Sequence, residues 1–281
     1  MNSRRAPPAG YDNPIQRNEV DMKIWFQALS PSPTIDARWQ YYQEACERYV
    51  PQITRPDTTV HFASTDTRAP KMILSSYIQY LHLAQVIENA IQAEKDGYDA
   101  FIIGGMRDLG YRELREAVDI PVVFISEASY HVACLLADKF ALIHSDLHPL
   151  QSATAIIKRY GLQDHTVAGA HIGYSQTDLI ETFRDNPKKI IGEIREAAQG
   201  PIAAGASLLV PGFAAINVFL GEHGVRDIDG VPILDCQAVA IKQAEMLVDL
   251  RRLGMPKPGK GPEFSVVKKD IDTARKIYGI G

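Results

Sequence analysis

Short apolar runs alternate along this chain with longer stretches of helical period, and that alternation constrains the fold more than any other feature. Strands buried on both faces read as continuous apolar runs, and strands separated by helices build parallel sheets. The runs predict strands at 23–28, 58–63, 99–104, 121–125, 140–144, 166–171, 206–211 and 231–235. Helices are expected near 34–48, 73–95, 111–117, 127–137, 149–160, 188–204, 213–221 and 236–253, with Pro149 and Pro201 suited to a first turn. The spacing is uneven, and the strand after Pro121 follows its predecessor by only a short helix. That fits two sheets better than one barrel of even units. Ligands of open parallel sheets sit beyond the carboxyl ends of the strands. The residues to inspect are therefore 27–32, 104–110, 126–127, 144–148, 171–176, 212–216 and 235–236.

The expected partner is a small molecule. A net charge of −4 supplies no basic footprint for nucleic acid or an anionic membrane. Cys46, Cys134 and Cys236 show no CxxC spacing, so neither a disulfide framework nor a zinc ribbon is expected, and a reducing cytoplasm is the simplest home. Residues 1–21 are polar and rich in breakers, which reads as a loose arm rather than a secretory signal. The most apolar helix candidate, from Met72 onward, is interrupted by Ser75, Ser76, Gln79, His82 and Gln85. No apolar run reaches the roughly 18 residues that a membrane span requires. GGMRDLG (104–110) lacks both the Lys-Ser/Thr of a P-loop and the spacing of a dinucleotide fingerprint, so no nucleotide cofactor is implied.

The segment 97–128, GYDAFIIGGMRDLGYRELREAVDIPVVFISEA, resembles a stretch of the hydantoin and allantoin racemases, within the aspartate/glutamate/hydantoin racemase superfamily. The likeness continues through Lys139–Ile143, Arg159–Leu162, Gly205–Val210 and Val231–Asp235, and spans most of 22–253. It implies an α/β fold of two similar parallel-sheet domains with the active site in the cleft between them. The first domain would comprise 22–125 plus 236–281, and the second 126–235. Family members usually form oligomers, so a homo-oligomer is expected. In the racemases each domain contributes one cysteine, and the two thiols flank the acidic carbon, one removing its proton and the other returning one on the opposite face. Aligned on the family's Asp-Pro-Gly turn, Asp108-Leu109-Gly110 puts Gly105 at the first cysteine position, and Gly205–Gly212 puts Phe213 at the second. Neither can move a proton, so two-thiol racemisation is disfavoured.

Cys46 and Cys134 fall inside helix candidates and read as inert hydrophobes. Cys236 follows a strand at the site rim, where a helix N-terminus could lower its pKa, and is a candidate catalytic group. The most unusual local feature is His144-Ser145-Asp146-Leu147-His148, with His171 expected on the same sheet edge. His144, His148 and His171 can be read as ligands of zinc or another divalent ion. They can equally be read, with Asp146, as metal-free acid and base groups. The bland reading is that Asp146 caps a helix at His148-Pro149 and His171 merely ends a strand. Glu127 is either a catalytic acid or a carboxylate stabilised at a helix N-terminus. Candidate substrate contacts are Gln27 and Ser30 at the first strand's exit, Gly105, Met106 and Arg107 in the displaced cysteine loop, Tyr174, and Phe213 with Ala214. Arg107 suits an anionic group.

Together these readings predict a non-thiol enzyme acting on a small cyclic amide or ureide, hydantoin-like or thiohydantoin-like, or on a related carboxylate. The lost thiols point to histidine- or metal-assisted hydrolysis or lyase chemistry. The alternatives are an isomerase in which histidine, Glu127 or Cys236 replaces the thiols, and an inactive relative that binds a small ligand.

Overall fold

The computed structural model describes residues 21–66, 75–255 and 268–279. All but the last residue of the expected N-terminal arm, and the start of the helix expected at 73, lie outside the described residues. The strand β1 (Met22–Pro31) buries Met22, Ile24 and Phe26 at alternate positions over its first half, and every residue from Phe26 onward, as it passes between its two neighbours. It pairs in parallel with β2 (Thr58–Thr65) on one side and β3 (Ala100–Ile103) on the other, and β4 (Val122–Phe124) completes the order β2-β1-β3-β4. β3 is buried along its whole length, as expected of a parallel strand covered on both faces. A second parallel sheet repeats the plan, with β5 (Phe140–His144) between β6 (Ala170–His171) and β7 (Leu208–Pro211).

The connecting helices overlap the expected sites: α1 (Gln40–Ile53), α2 (Ser76–Lys95), α3 (Tyr111–Ala117), α4 (Ile125–Leu136), α5 (Leu147–Arg159), α7 (Pro187–Ala203), α8 (Ala214–Glu222) and α9 (Cys236–Arg252). One apolar core holds Phe26 and Ile102 of the first sheet together with Phe140 and Leu208 of the second, through Ala128, Tyr130 and Ala133 of α4 and Ala240 and Ile241 of α9. Two similar parallel α/β sheets are thus joined around shared helices.

Several local expectations need correction: α1 begins at Gln40 rather than near 34, and Pro201 lies inside α7 rather than in a first turn. The strand at 166–171 survives only as β6 and an isolated bridge from Thr166 to Phe140. The strand at 231–235 is instead β9 (Val231–Pro232), paired antiparallel with β8 (Asp227–Ile228) across Asp229 and Gly230. Both turn residues have positive φ, 52° and 83°, the backbone of a tight hairpin. Two helices lie outside the expected set, α6 (Gln176–Asp185) and α10 (Lys268–Ile277). Among the described residues no helix is long and apolar enough to cross a membrane.

Candidate active site

The carboxyl ends of the two sheets open on one cleft that encloses about 550 Å³ of empty space, part of it open to solvent. The first sheet supplies Ala28, Leu29 and Ser30 from the exit of β1, and Gly104 to Arg107 from the exit of β3. Trp39, in the 3-10 turn Ala37–Trp39, and Tyr42 of α1 close that side. The second sheet supplies His144 from the end of β5 and Gly212, Phe213 and Ala214 beyond β7, with Pro149 and Gln176 at the rim.

His144 is 4% exposed, and its ring lies nearly parallel to that of Phe213, 6.4 Å away between centroids. Its Nδ1 has Ser145 on two sides: the backbone N–H donates to it at 2.8 Å and the hydroxyl lies at 3.1 Å. With the backbone N–H donating to it, Nδ1 is the acceptor, and the neutral ring carries its proton on Nε2. Burial, followed by the charge of Arg107, pushes the imidazole down to about 3, so it is neutral across the physiological range. Burial also lowers the Arg107 guanidinium to about 10, which leaves it a cation at neutral pH.

At three points of the wall a glycine stands directly against a neighbouring side chain, and a Cβ on the first of them, Gly104, would stand 2.1 Å from Phe26 Cε1. A Cβ on Gly105 would stand 2.4 Å from Leu29 Cδ1, so the Leu29 side chain fills the space in front of that glycine. A Cβ on Gly212 would stand 2.5 Å from His144 Cδ2. At each position a side chain from the paired neighbouring strand lies against the bare backbone.

Of the expected site residues, Ser30, Gly105, Met106, Arg107, His144, Phe213 and Ala214 line the cleft. The others do other work. Gln27 is turned into the fold, donating to the Ala28 carbonyl at 3.0 Å and accepting from Asn89 at 2.9 Å. The Glu127 carboxylate pairs with Arg115 at 2.5 Å and accepts from the Tyr111 hydroxyl at 2.8 Å. Cys236 is fully buried, its sulfur 3.7 Å from the Pro211 carbonyl, and desolvation outweighs the helix terminus and pushes the thiol up to about 12. Asp146 caps α5 by accepting from the Leu147 N–H at 2.8 Å. His148 and His171 are exposed, and the Tyr174 hydroxyl donates to Glu193 at 3.1 Å. The three histidines therefore do not converge as a ligand set, and among the described residues no group of three His, Cys, Asp or Glu side chains is arranged to hold a metal ion. Leu29, Gln176 and Gly212 fall within the inspected strand exits 27–32, 171–176 and 212–216, although none was singled out as a substrate contact; Trp39, Tyr42 and Pro149 escaped as site residues.

Just behind the cleft, Asp108 takes a left-handed backbone conformation, φ 46°, uncommon for a residue other than glycine. Its buried carboxylate accepts from the Ser126 N–H in the first turn of α4 at 3.3 Å and from the Tyr160 hydroxyl, just past α5, at 2.6 Å.

The family model of the Asp/Glu/hydantoin racemases matches residues 40–244. The chain belongs to this family. This racemase-family chain is 28% identical over 260 residues to a hydantoin racemase of Pseudomonas sp. (strain NS671), covering 92% of its own length and 97% of that protein. It is 26% identical over 200 residues to a hydantoin racemase of Paenarthrobacter aurescens, covering 68% and 80%. In three dimensions it is similar to the allantoin racemase from Klebsiella pneumoniae, with a TM-score of 0.73 at 20% identity and coverage of 88% and 94%. These relatives are named as racemases, and that overturns the expectation of hydrolysis or lyase chemistry drawn from the missing thiols.

Proposed function

We propose that this chain is an isomerase that inverts the configuration of an acidic ring carbon in a hydantoin-like cyclic ureide by proton exchange without a thiol. One observation carries the reading. The cleft of a chain similar to hydantoin racemase along nearly its whole length holds a neutral imidazole, His144, from one sheet and a desolvated cation, Arg107, from the other. In this reading His144 takes the proton from the ring carbon onto Nδ1, where the Ser145 N–H contact yields, and the C–H electron pair moves into the adjacent carbonyl to form an enolate. Arg107 and the first turn of α8 face the negative charge as it develops. The enolate beside the new imidazolium offsets the burial and the Arg107 charge that hold His144 neutral when the cleft is empty.

The test is to follow the optical activity of single enantiomers of 5-substituted hydantoins with the purified protein and with His144→Gln. Inversion is expected, with a loss of about 10²-fold or more in the variant, the usual scale for a general base. Tight binding with no inversion by the unaltered protein would sink the isomerase. It would leave a ligand-binding relative, a reading that Gly105 and Phe213 favour because neither carries a titratable group.

A further inference from the structure

The two walls of the cleft are chemically unlike. Leu29 lies where a side chain at Gly105 would project, and His144 lies where one at Gly212 would. The exits of β1 and β5 thus fill the ground in front of the exits of β3 and β7, one with a branched alkyl group and the other with an imidazole. Among the described residues lining the first-sheet side, none carries a carboxylate, thiol or imidazole. The polar side chains there are Ser30, Tyr42 and Arg107. A serine hydroxyl does not ionise near neutral pH. The Tyr42 phenol holds a proton, but burial raises it well above its ordinary range and so opposes the phenolate that giving the proton up would leave; Arg107 likewise stays protonated.

We propose that proton exchange in this cleft is one-sided: His144 both removes and returns the proton, Leu29 seals the opposite face, and inversion requires the intermediate to turn over before it is reprotonated. The proposal rests on the isomerase reading and says how that isomerase works. Breaking the C–H bond sends the proton to the imidazole and the electron pair into the ring carbonyl. On the return, the imidazolium gives back that proton or one exchanged from solvent. If the planar intermediate has not moved, the starting enantiomer is restored; if it has turned, the inverted one forms.

The experiment is run in deuterium oxide with one enantiomer of an arylmethyl-substituted hydantoin, separating the enantiomers at early times and weighing the deuterium in each by mass spectrometry. The expected result is deuterium in the recovered starting enantiomer before the inverted product accumulates. Deuterium confined to the inverted product would overturn the proposal while leaving the isomerase intact, because it requires a proton carrier on each face. Neither exchange nor inversion would overturn both. Two variants make the assignment specific. Wash-in that persists in His144→Gln would overturn the role of His144. Leu29→Ala combined with Gly105→Cys places a thiol on the sealed face, and the label is then expected to shift toward the product. An unchanged pattern in that folded double variant would show that Leu29 and Gly105 do not define the silent wall.

Discussion

At the scale of single residues, His144 ties the chemistry of the cleft to the stability of the fold. In the unfolded chain its imidazole takes a proton near 6.5, whereas in the folded protein burial and Arg107 delay this to about 3. Between those values the unfolded state holds a proton that the folded state refuses, so this residue's effect is to lower stability as pH falls through that window. The slope is on the order of 1 kcal/mol per pH unit. Denaturant midpoints measured across this range are expected to decline less steeply for His144→Gln; parallel slopes would show that another group governs the titration. The sequence made His144 visible through its place after an apolar run and through its two neighbouring imidazoles. It could not separate His144 from His148, because one ends a strand inside the cleft and the other rides on the exposed first turn of α5. Leu29 lay within the inspected exit 27–32, but its role did not show there, because it exists only through contact with Gly105, 76 positions away in a chain folded back on itself.

Among the elements, those with a strong period were legible. β3 and β5 are apolar on both faces, and α3 occupies the expected Tyr111–Ala117. β6 is shorter than its composition suggests: Thr166 to His171 read as a strand but form only two paired residues and a bridge at the sheet's edge. The hairpin of β8 and β9 was hidden because its turn, Asp229-Gly230, joins strands too short to show alternation. Beyond that hairpin, a single side chain anchors the start of α9. Asp235 caps the helix by accepting from the Ala238 N–H at 3.0 Å, and it also accepts from Asn217 at 3.0 Å and from the Tyr49 hydroxyl. Asp235→Ala removes the cap and strands those donors, an expected loss of about 3 kcal/mol. A urea midpoint that falls at constant slope would register it. A midpoint that stays put would mean that Asn217, which accepts from the Cys236 N–H at 2.8 Å, orients the start of α9 unaided.

Across the whole molecule, the cleft depends on two sheets keeping their carboxyl ends face to face. Alongside the shared apolar core, the Asp108 carboxylate ties the cleft loop after β3 to the start of α4 and to Tyr160, beyond α5. Desolvation raises Asp108 to about 6, against the opposing pull of Tyr160, Ser126 and Arg159. A carboxyl with a raised pKa favours folding in its protonated form, so stability falls as pH climbs from 3.8 to about 6 and levels off above that. Tyr160→Phe removes a donor from a buried carboxylate and is expected to cost about 2 kcal/mol near pH 8 and distinctly less near pH 5. Thermal unfolding of both proteins at the two pH values checks this, and an equal loss at both would mean that the tyrosine acts through packing alone.

The glycines of the cleft wall also make substitutions depend on their order. Gly105→Cys in an otherwise unchanged chain drives a new atom into Leu29, and any side chain introduced at 212 meets His144. The reverse sequence, in which Leu29 shrinks first, passes through a small cavity rather than a collision, and cavities of that size cost stability without forbidding the fold. Positions 29 and 105 therefore act as a ratchet: from the present state, a side chain returns to the cysteine-position wall most readily by a route that first opens a hole beside it in the same wall.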